Sequence, residues 1–420
     1  MDRRPLTIPA YRRLWVASVI AAVGGSFSAL AIPTQLFTVT GSSAAVGASA
    51  AVSLATLVVS ALWGGALADA MDRRRLLLVA DGCLALTYAG LWVQAALDLR
   101  SVPVLMALVA GQGLSYGAIM AAMGAAVPRL VPADLLAAAN GLSALVRYAG
   151  SIVGPLLAGA LIPVVGLGTL YLLDTLALLV VAWSVFRLPP LPPQAPAPGR
   201  PGPGGPRAAA GRPILSQVLD GFRYLLSRRL LVALIAVDLA AMVFGGPWAL
   251  YPELAEREFG GATGGGFELG VLYASYPAGV FAVGMVSGLF TRAHRHGVLM
   301  VSAAVAWGTT VVLVGLAPQL WLAAAVLLVG GGVNFVLSTF RRAISQASTD
   351  DALRGRIEGS MIAITMGGPQ IGNLLHGVAG AAWGPRWAIS MGGVLTIVAV
   401  AGVTRAVPQL WRYDARQQVE

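Results

Sequence analysis

The sequence predicts an all-α membrane protein of twelve transmembrane helices in two pseudo-symmetric six-helix bundles, with both termini cytoplasmic. Three observations predict it. Apolar stretches of membrane-spanning length recur along the chain, arginine gathers in alternate connecting loops, and a glycine pattern repeats between the two halves.

The first observation is compositional. Of 420 residues, 57% are hydrophobic and 11% charged, against about 25% charged in soluble domains; the mean hydropathy is +0.77. A helix needs roughly 20 apolar residues to cross a hydrocarbon core. Hydropathy places spans near 13–38, 44–69, 76–98, 102–127, 136–162, 168–187, 231–253, 267–291, 297–317, 319–345, 357–382 and 386–407. The loops between several of these are tight, which makes sequence neighbours antiparallel.

The second observation is the placement of charge. A net charge of +10 could suit a nucleic-acid partner, but all 28 basic residues are arginines, and their clusters sit between apolar spans. They cluster at the N-terminus (Arg3, Arg4, Arg12, Arg13), at Arg73, Arg74 and Arg75, across 187–229, at Arg292 and Arg295, across 341–356, and at Arg405, Arg412 and Arg416. The intervening loops hold only Arg100, Arg257 and Arg386. That alternation is the positive-inside pattern, so the Arg-rich loops face the cytoplasm. Both termini then lie inside and the number of spans is even. The charged start and the full-length first span argue against a cleaved signal peptide. The lone Cys83 excludes an internal disulfide, and three histidines make a structural zinc site implausible.

The third observation is the repeat. Gly141, Gly150, Gly154 and Gly159 in the fifth span recur as Gly359, Gly368, Gly372 and Gly377, each 218 residues later. Likewise, Ala31-Ile32-Pro33 resembles Leu250-Tyr251-Pro252. Parallel six-helix repeats place a substrate site where the halves meet. The predicted organisation is therefore a first bundle over 1–187, a linker over 188–213, an amphipathic helix over 214–230, a second bundle over 231–410 and a tail over 411–420. The linker holds ten prolines with Gly and Ala, a composition that neither forms a helix nor packs a core. In 214–230 the apolar Ile214, Leu215, Val218, Leu219, Phe222, Leu225 and Leu226 share one stripe. Gln217, Asp220, Arg223, Arg228 and Arg229 occupy the other side. Such a helix lies along the cytoplasmic lipid surface; the alternative is a plain beginning to the seventh span.

Between spans two and three the chain reads Gly64-Gly65-Ala66-Leu67-Ala68-Asp69-Ala70-Met71-Asp72-Arg73-Arg74-Arg75. This resembles the loop signature of the major facilitator superfamily, Gly-x-Leu-Ala-Asp-x-x-x-Arg-Arg, with Asp72 where a glycine usually stands. The resemblance implies a twelve-helix major facilitator fold. It also implies a latch in which Gly65, Asp69 and Arg73 meet the start of span eleven and hold the cytoplasmic side shut. Asp69 at a helix end can pair with an arginine and with a facing helix N-terminus. A simple positive-inside anchor is the alternative. Asp350-Asp351-Ala352-Leu353-Arg354-Gly355-Arg356, with Arg341 and Arg342, forms the charged cytoplasmic gate opposite, in which Arg354 and Arg356 are the candidates; a merely solvated charge run is the bland reading.

Span five carries Gly141-x8-Gly150-x3-Gly154-Pro155-x2-Ala158-Gly159, which resembles the antiporter signature of the same superfamily. The resemblance implies an exporter. At 100° per residue Arg147, Gly150, Gly154 and Ala158 fall within a sector of about 80°. Small residues there permit close packing, expected against span eight, and Pro155 bends the helix; generic small-residue packing would look the same. An arginine as deep as Arg147 normally faces a partner or an aqueous cavity, so an ion pair or an anionic substrate is its expected partner, ahead of snorkelling.

Many proton-driven relatives carry an arginine three residues before Gln-Gly in span four; here Gln112-Gly113 is preceded by Val109. Proton coupling must therefore use another group, and Asp238, Asp81 and Asp174 are the buried-acid candidates, Asp238 first. Candidate substrate contacts along spans one, four, seven and ten are Gln35, Gln112, Tyr116, Trp248, Tyr251 and Asn334, with Arg147. Each aromatic among them could equally be packing or interfacial belt.

Within the superfamily, Gly65-x-Leu-Ala-Asp69, Leu250-Tyr251-Pro252-x-Leu254-Ala255, Gly270-x-Leu272-Tyr273-Ala274 and Gly355-Arg356-Ile357-x-Gly359 resemble the bacterial enterobactin (siderophore) exporters. Asp81 and Asp174 look more like the macrolide-efflux relatives. The charged segment 253–268 indicates no ligand. There is no P-loop, Rossmann fingerprint or Ser/His/Asp group, and His294-x-His296 lacks further metal ligands. The chain is thus expected to be a non-enzymatic exporter of the bacterial plasma (inner) membrane, without cofactor. Its partners would be lipid, a small-molecule substrate and protons, with a periplasmic or outer-membrane efflux protein as a further candidate, and it would act as a monomer. A multidrug pump and a non-transporting receptor or scaffold are the alternatives.

Overall fold

The computed structural model describes residues 4–132, 135–188, 223, 225–290, 293–348 and 354–418; for 61–70, 121, 124–129, 137, 354–363, 417 and 418 it describes the backbone alone. The interfacial segment 214–230 thus lies mostly outside the described residues, as do 189–213 of the linker and 350–353 of the cytoplasmic loop.

The described chain is built from long helices: α1 (Pro9–Thr40), α2 (Ser43–Ala70), α3 (Arg73–Ala96), α4 (Val102–Leu130), α5 (Leu136–Phe186), α6 (Arg229–Val243), α7 (Phe267–Met285), α8 (His296–Leu316), α9 (Leu320–Ala347), α10 (Arg354–Trp383) and α11 (Pro385–Ala406). Nine helical segments among the described residues are long and apolar enough to cross a membrane. Many large apolar side chains stay exposed on them, among them Leu86, Val164, Trp183, Trp321 and Trp387. In water such a surface would aggregate, whereas against lipid it costs nothing.

Local chemistry explains the helix ends. Pro9 and Pro103 stand in the first turns of α1 and α4, where the missing N–H would have no partner anyway. Gly41 closes α1 in a left-handed conformation, φ 62°, and its N–H bonds the Phe37 carbonyl. Asp72, the departure from the loop signature, caps α3 by accepting from the Arg74 N–H at 2.8 Å.

Two boundaries differ from the sequence reading. The fifth and sixth spans have no loop between them: α5 runs through and breaks only at Gly166, whose φ of 77° and ψ of 161° suit a residue without Cβ. The regular α-helix of the seventh span stops at Val243, because Gly245, Gly246 and Pro247 follow, although the apolar segment of membrane-spanning length continues over Arg229–Glu258. Glycine weakens the helix there, and proline disfavours a helical residue before it. The chain resumes as a 3₁₀ turn, Trp248–Leu250, and a π-helical turn, Leu254–Glu258.

The chain divides into two compact units. One comprises Met1–Ala195 with Tyr251–Ala274, and the other Pro196–Leu250 with Ser275–Glu420. In the first unit α1 packs along α5, α2 along α4, and α3 against both α4 and α5. One of its cores gathers Leu14, Leu76, Leu77, Ala122, Val181 and Val185. Beside it Arg13 donates to the Arg187 carbonyl at 3.3 Å, while Arg74 bonds the Phe186 carbonyl and lies over its ring. These cations satisfy the free carbonyls that end α5. In the second unit α8 packs on α9 and α11, and α6 lies against α10 and α11. Gly308 and Gly393 face each other where α8 and α11 cross; a Cβ on Gly393 would stand 2.6 Å from the Gly308 oxygen.

Candidate functional site

Each unit buries polar chemistry inside an apolar bundle. In the first unit the centre is Asp174, on the second arm of α5 and 1% exposed. Its Oδ2 accepts from the Ser28 N–H at 2.8 Å and from the Ser28 hydroxyl, while Oδ1 has no hydrogen-bond partner. One helical turn away, Tyr171 donates its hydroxyl to Gln35 Oε1 at 2.8 Å. Gln112 of α4 donates to the Tyr88 hydroxyl at 3.1 Å, and Tyr88 lies within reach of Ser28. The network therefore ties α1, α3, α4 and α5 together through hydroxyls and amides. Buried hydrogen bonds of this kind, strengthened by the low-dielectric interior, hold the helices in one arrangement. Tyr116 stands at its edge, 40% exposed. Asp81, on α3, is also buried.

In the second unit the centre is an ion pair. Asp238 of α6 faces Arg341 of α9, with Oδ1 and Nε 3.0 Å apart and both side chains about 5% exposed or less. The other carboxylate oxygen has no hydrogen-bond partner. The sequence reading placed Arg341 in the cytoplasmic charge cluster with Arg342; in the structure it turns inward, because a buried carboxylate holds it. A buried pair gains its Coulomb energy against a large desolvation cost and is strongly destabilised when one partner is lost. Nearby, Trp248, Tyr276 and Trp307 form a chain of edge-on rings, with centroids 6.0 and 5.5 Å apart. Tyr276 donates to Asn334 Oδ1 at 3.0 Å, and Trp307 donates to the Ala241 carbonyl at 3.0 Å. His376, the one histidine outside the sequence argument, is buried on α10 with Nδ1 3.0 Å from the Gly372 carbonyl.

The glycine motif of α5 packs on two neighbours, not one. A Cβ on Gly150 would stand 2.7 Å from the Ala22 carbonyl, and one on Gly154 would overlap Ser26; both neighbours lie on α1. Only at Pro155 and Gly159 does the motif reach the eighth-span helix, where a Cβ on Gly159 would come 2.8 Å from the Gly270 Cα. Gly141 faces open space. Arg147 is exposed and makes no hydrogen bond or ion pair with a described residue. Tyr251 is buried and stacks edge-on against Tyr273 at 5.2 Å. Among the latch residues, Arg73 opens α3, Gly65 and Asp69 lie on the backbone of α2, and the Arg354 and Arg356 backbones open α10; the side chains of Asp69, Arg354 and Arg356 lie outside the described residues.

Two bundles of apolar helices, each with a buried acid, fit a solute carrier, and comparison with known proteins decides the matter. Residues 3–419 match the family described as transmembrane secretion effector. The chain belongs to this family of major facilitator transporters. Enterobactin exporters EntS of Shigella flexneri and Citrobacter koseri are 29% and 28% identical to this chain over 387 residues, covering 92% of it and 89% of theirs. Among solved structures, the nucleoside transporter NupG aligns with a TM-score of 0.75 at 13% identity, covering 94% of this chain and 99% of its own. A POT family transporter in complex with 5-aminolevulinic acid aligns at 0.70 and 12%, covering 94% and 96%. These likenesses establish the fold. The chain is an integral membrane transporter and not an enzyme.

Proposed function

We propose that this protein exports an amphipathic small molecule, a siderophore, by proton antiport through alternating access across the bacterial inner membrane. The observation that carries the reading is its relation, over nine-tenths of its length, to enterobactin exporters. Twelve spans with cytoplasmic termini accord with the alternation of Arg-rich loops, since the break at Gly166 divides α5 into two membrane-length arms. Asp69 and Arg73 serve as the cytoplasmic latch against Arg354 and Arg356. Gln112, Tyr116 and Arg147 of the first unit and Trp248 and Asn334 of the second are the cargo contacts. They offer aromatic faces, amides and one cation, which suits a catecholate. Gln35 and Tyr251 support these contacts from buried positions.

Asp238 is the first candidate for the proton carrier. Protonating it removes the charge that holds Arg341, so a chemical event becomes a mechanical one. Asp174 and Asp81 are the other candidates. The resemblance of these two to macrolide-efflux relatives favours a multidrug pump as the second reading. A non-transporting receptor would have no use for a breakable latch.

Inverted vesicles carrying the purified protein test both readings. A pH gradient should drive uptake of a radiolabelled catecholate siderophore, and Asp238→Asn should reduce it about tenfold, within the usual span of coupling energies. Gradient-driven uptake that survives Asp238→Asn would remove that residue from coupling. Uptake of a macrolide instead of the siderophore would move the protein to the second reading.

A further inference from the structure

Where the seventh span breaks, side chains from three helices of the second unit meet its loose ends. α6 stops at Val243, and a helix end leaves its last carbonyls without partners on the helix. Thr396 of α11 donates its hydroxyl to the Ala240 carbonyl at 3.3 Å, and Trp307 of α8 donates to the Ala241 carbonyl at 3.0 Å. Beyond the break, the Ala249 N–H donates to Asn373 Oδ1 of α10 at 3.0 Å. These partners are permanent, because none of them gains or loses a proton near neutral pH.

The Phe244 carbonyl is met differently. Phe244 caps α6, and the side chain within reach of its carbonyl is His376, on α10 close to Asn373. Gly372 lets α10 come this near: a Cβ on it would stand 2.7 Å from the Met242 oxygen and 3.0 Å from that of Val243. Gly392 of α11 closes the place from the other side, where a Cβ would overlap the Phe244 oxygen and stand 2.5 Å from His376 Nε2.

The ring is 4% exposed. Nδ1 lies 3.0 Å from the Gly372 carbonyl, which can only accept, so Nδ1 carries a proton. Nε2 has no hydrogen-bond partner among the described residues. A neutral imidazole protonated at Nδ1 turns a bare lone pair towards the Phe244 oxygen. An imidazolium has an N–H at both nitrogens, and here there is one carbonyl for each.

No charged side chain sets the state of the ring. α10 packs against α6, α11 and the turn Trp248–Leu250, and the charged side chains described on these are Arg229, Asp238, Arg386 and Arg405. Asp238 is held by Arg341, and Arg386 bonds the Ala317 carbonyl at 2.6 Å. Arg229 and Arg405 are exposed. On α10 itself Arg354, Arg356 and Glu358 stand about five turns away or more. The two carbonyls are what the ring answers to.

We propose that His376 is a proton-binding site: a proton added to Nε2 bonds α10 to the end of α6 through the Phe244 carbonyl, and its loss lets the two part. This deepens the proton-antiport reading and rests on it, with His376 acting in addition to Asp238. The step is protonation alone: the Nε2 lone pair takes a proton from hydronium, water departs, and no other covalent bond changes. From Phe244 the chain runs through Gly245, Gly246 and Pro247 to Trp248, whose ring meets Tyr276. The protonation of one buried ring thus governs where a cargo contact stands. Ionisable groups inside spans are costly and recur in proton relays for this reason.

The chain has three histidines, so the nitrogen-15-labelled rings of the purified full-length protein in lipid nanodiscs give three sets of signals, assigned with His294→Gln and His296→Gln. Between about pH 5 and pH 9, His376 should keep its Nδ1 proton while Nε2 passes from protonated to bare. An Nε2 that does not change over this range would overturn the proposal, and so would loss of the proton from Nδ1. In inverted vesicles each coupled proton multiplies cargo accumulation about tenfold per unit of pH gradient. His376→Gln, whose amide cannot take up a proton, should therefore lower accumulation of a radiolabelled catecholate siderophore about tenfold across one unit. Accumulation equal to the parent's would overturn the proposal. Should His376→Gln fail to fold, titration of the ring in the unaltered protein decides alone. A parent protein that moves no siderophore, or moves it without a pH gradient, would discard the antiport reading, whereas the ring titration still decides the proton site.

Discussion

Gly150 and Gly154 in the first unit press against Ala22, Val23 and Ser26 of α1; Gly368 and Gly372 in the second press against Met242 and Val243 of α6. The pairs are 218 residues apart, and each meets the first long helix of its own unit, so backbone packing has been duplicated. The buried acids have not. Asp174 is held by a serine and surrounded by tyrosines and amides, whereas Asp238 is held by an arginine. Close helix approach leaves little freedom of choice, because a Cβ would meet backbone at Gly150 and Gly372 and the Ser26 side chain at Gly154. A polar partner can be exchanged whenever another helix face offers one. Repeats of this kind thus keep their skeleton and diverge in their charges.

The largest expected effect separates the two acids. Arg341→Met leaves Asp238 buried without its counter-charge and should cost about 3–5 kcal/mol, read as a fall in melting temperature in detergent. Adding Asp238→Leu should recover most of it, since an apolar pair of similar volume needs no compensation. In the first unit Asp174→Asn keeps an oxygen for Ser28 and should cost only about 1 kcal/mol. Equal losses for Arg341→Met and Asp174→Asn would mean that the two sites are not different in kind.

Next comes the duplicated skeleton. Gly154→Leu forces a side chain into Ser26 and Gly372→Leu forces one into the backbone at Met242 and Val243, and each should cost roughly 1–3 kcal/mol. The measurement is folded yield and melting temperature of each variant beside Gly141→Leu, which faces open space and should be tolerated. If only one of Gly154 and Gly372 proved sensitive, the packing symmetry would be apparent rather than functional.

Much of this was legible in the chain. Span positions follow from apolar length, and most helix ends lie within a few residues of the hydropathy reading. The early stop of α6 was also written in Gly245-Gly246-Pro247, but a continuous apolar run outweighed it. Gly166 read as a loop, because nothing linear separates a short loop from a single residue of positive φ. Arg341 was misread for a different reason: its neighbour Arg342 is exposed and supports a surface cluster, while its partner Asp238 lies 103 positions away. Ser28 gave no signal at all, since a serine in an apolar helix usually bonds its own backbone. His376 gave none either, because the carbonyls of Gly372 and Phe244 beside it belong to backbone that any sequence supplies.

The smallest expected effect is the control for the buried acids. Asp98, in the turn between α3 and α4, is fully exposed and pairs with Arg100 at 2.9 Å. The hydrogen bond from Arg100, then its charge, holds the Asp98 carboxyl below the ordinary 3.8. A carboxyl depressed in the folded state adds stability above its unfolded pKa and loses it as pH falls through the folded value. Any contribution here is therefore present at neutral pH and disappears below about pH 4. Water screens an exposed pair almost completely, and Asn accepts the left-handed backbone at this position, φ 46°. Asp98→Asn should match the parent melting curve at pH 7 and at pH 5 alike. If it shifted the curve as Arg341→Met does, burial would not be what makes an acid matter in this protein.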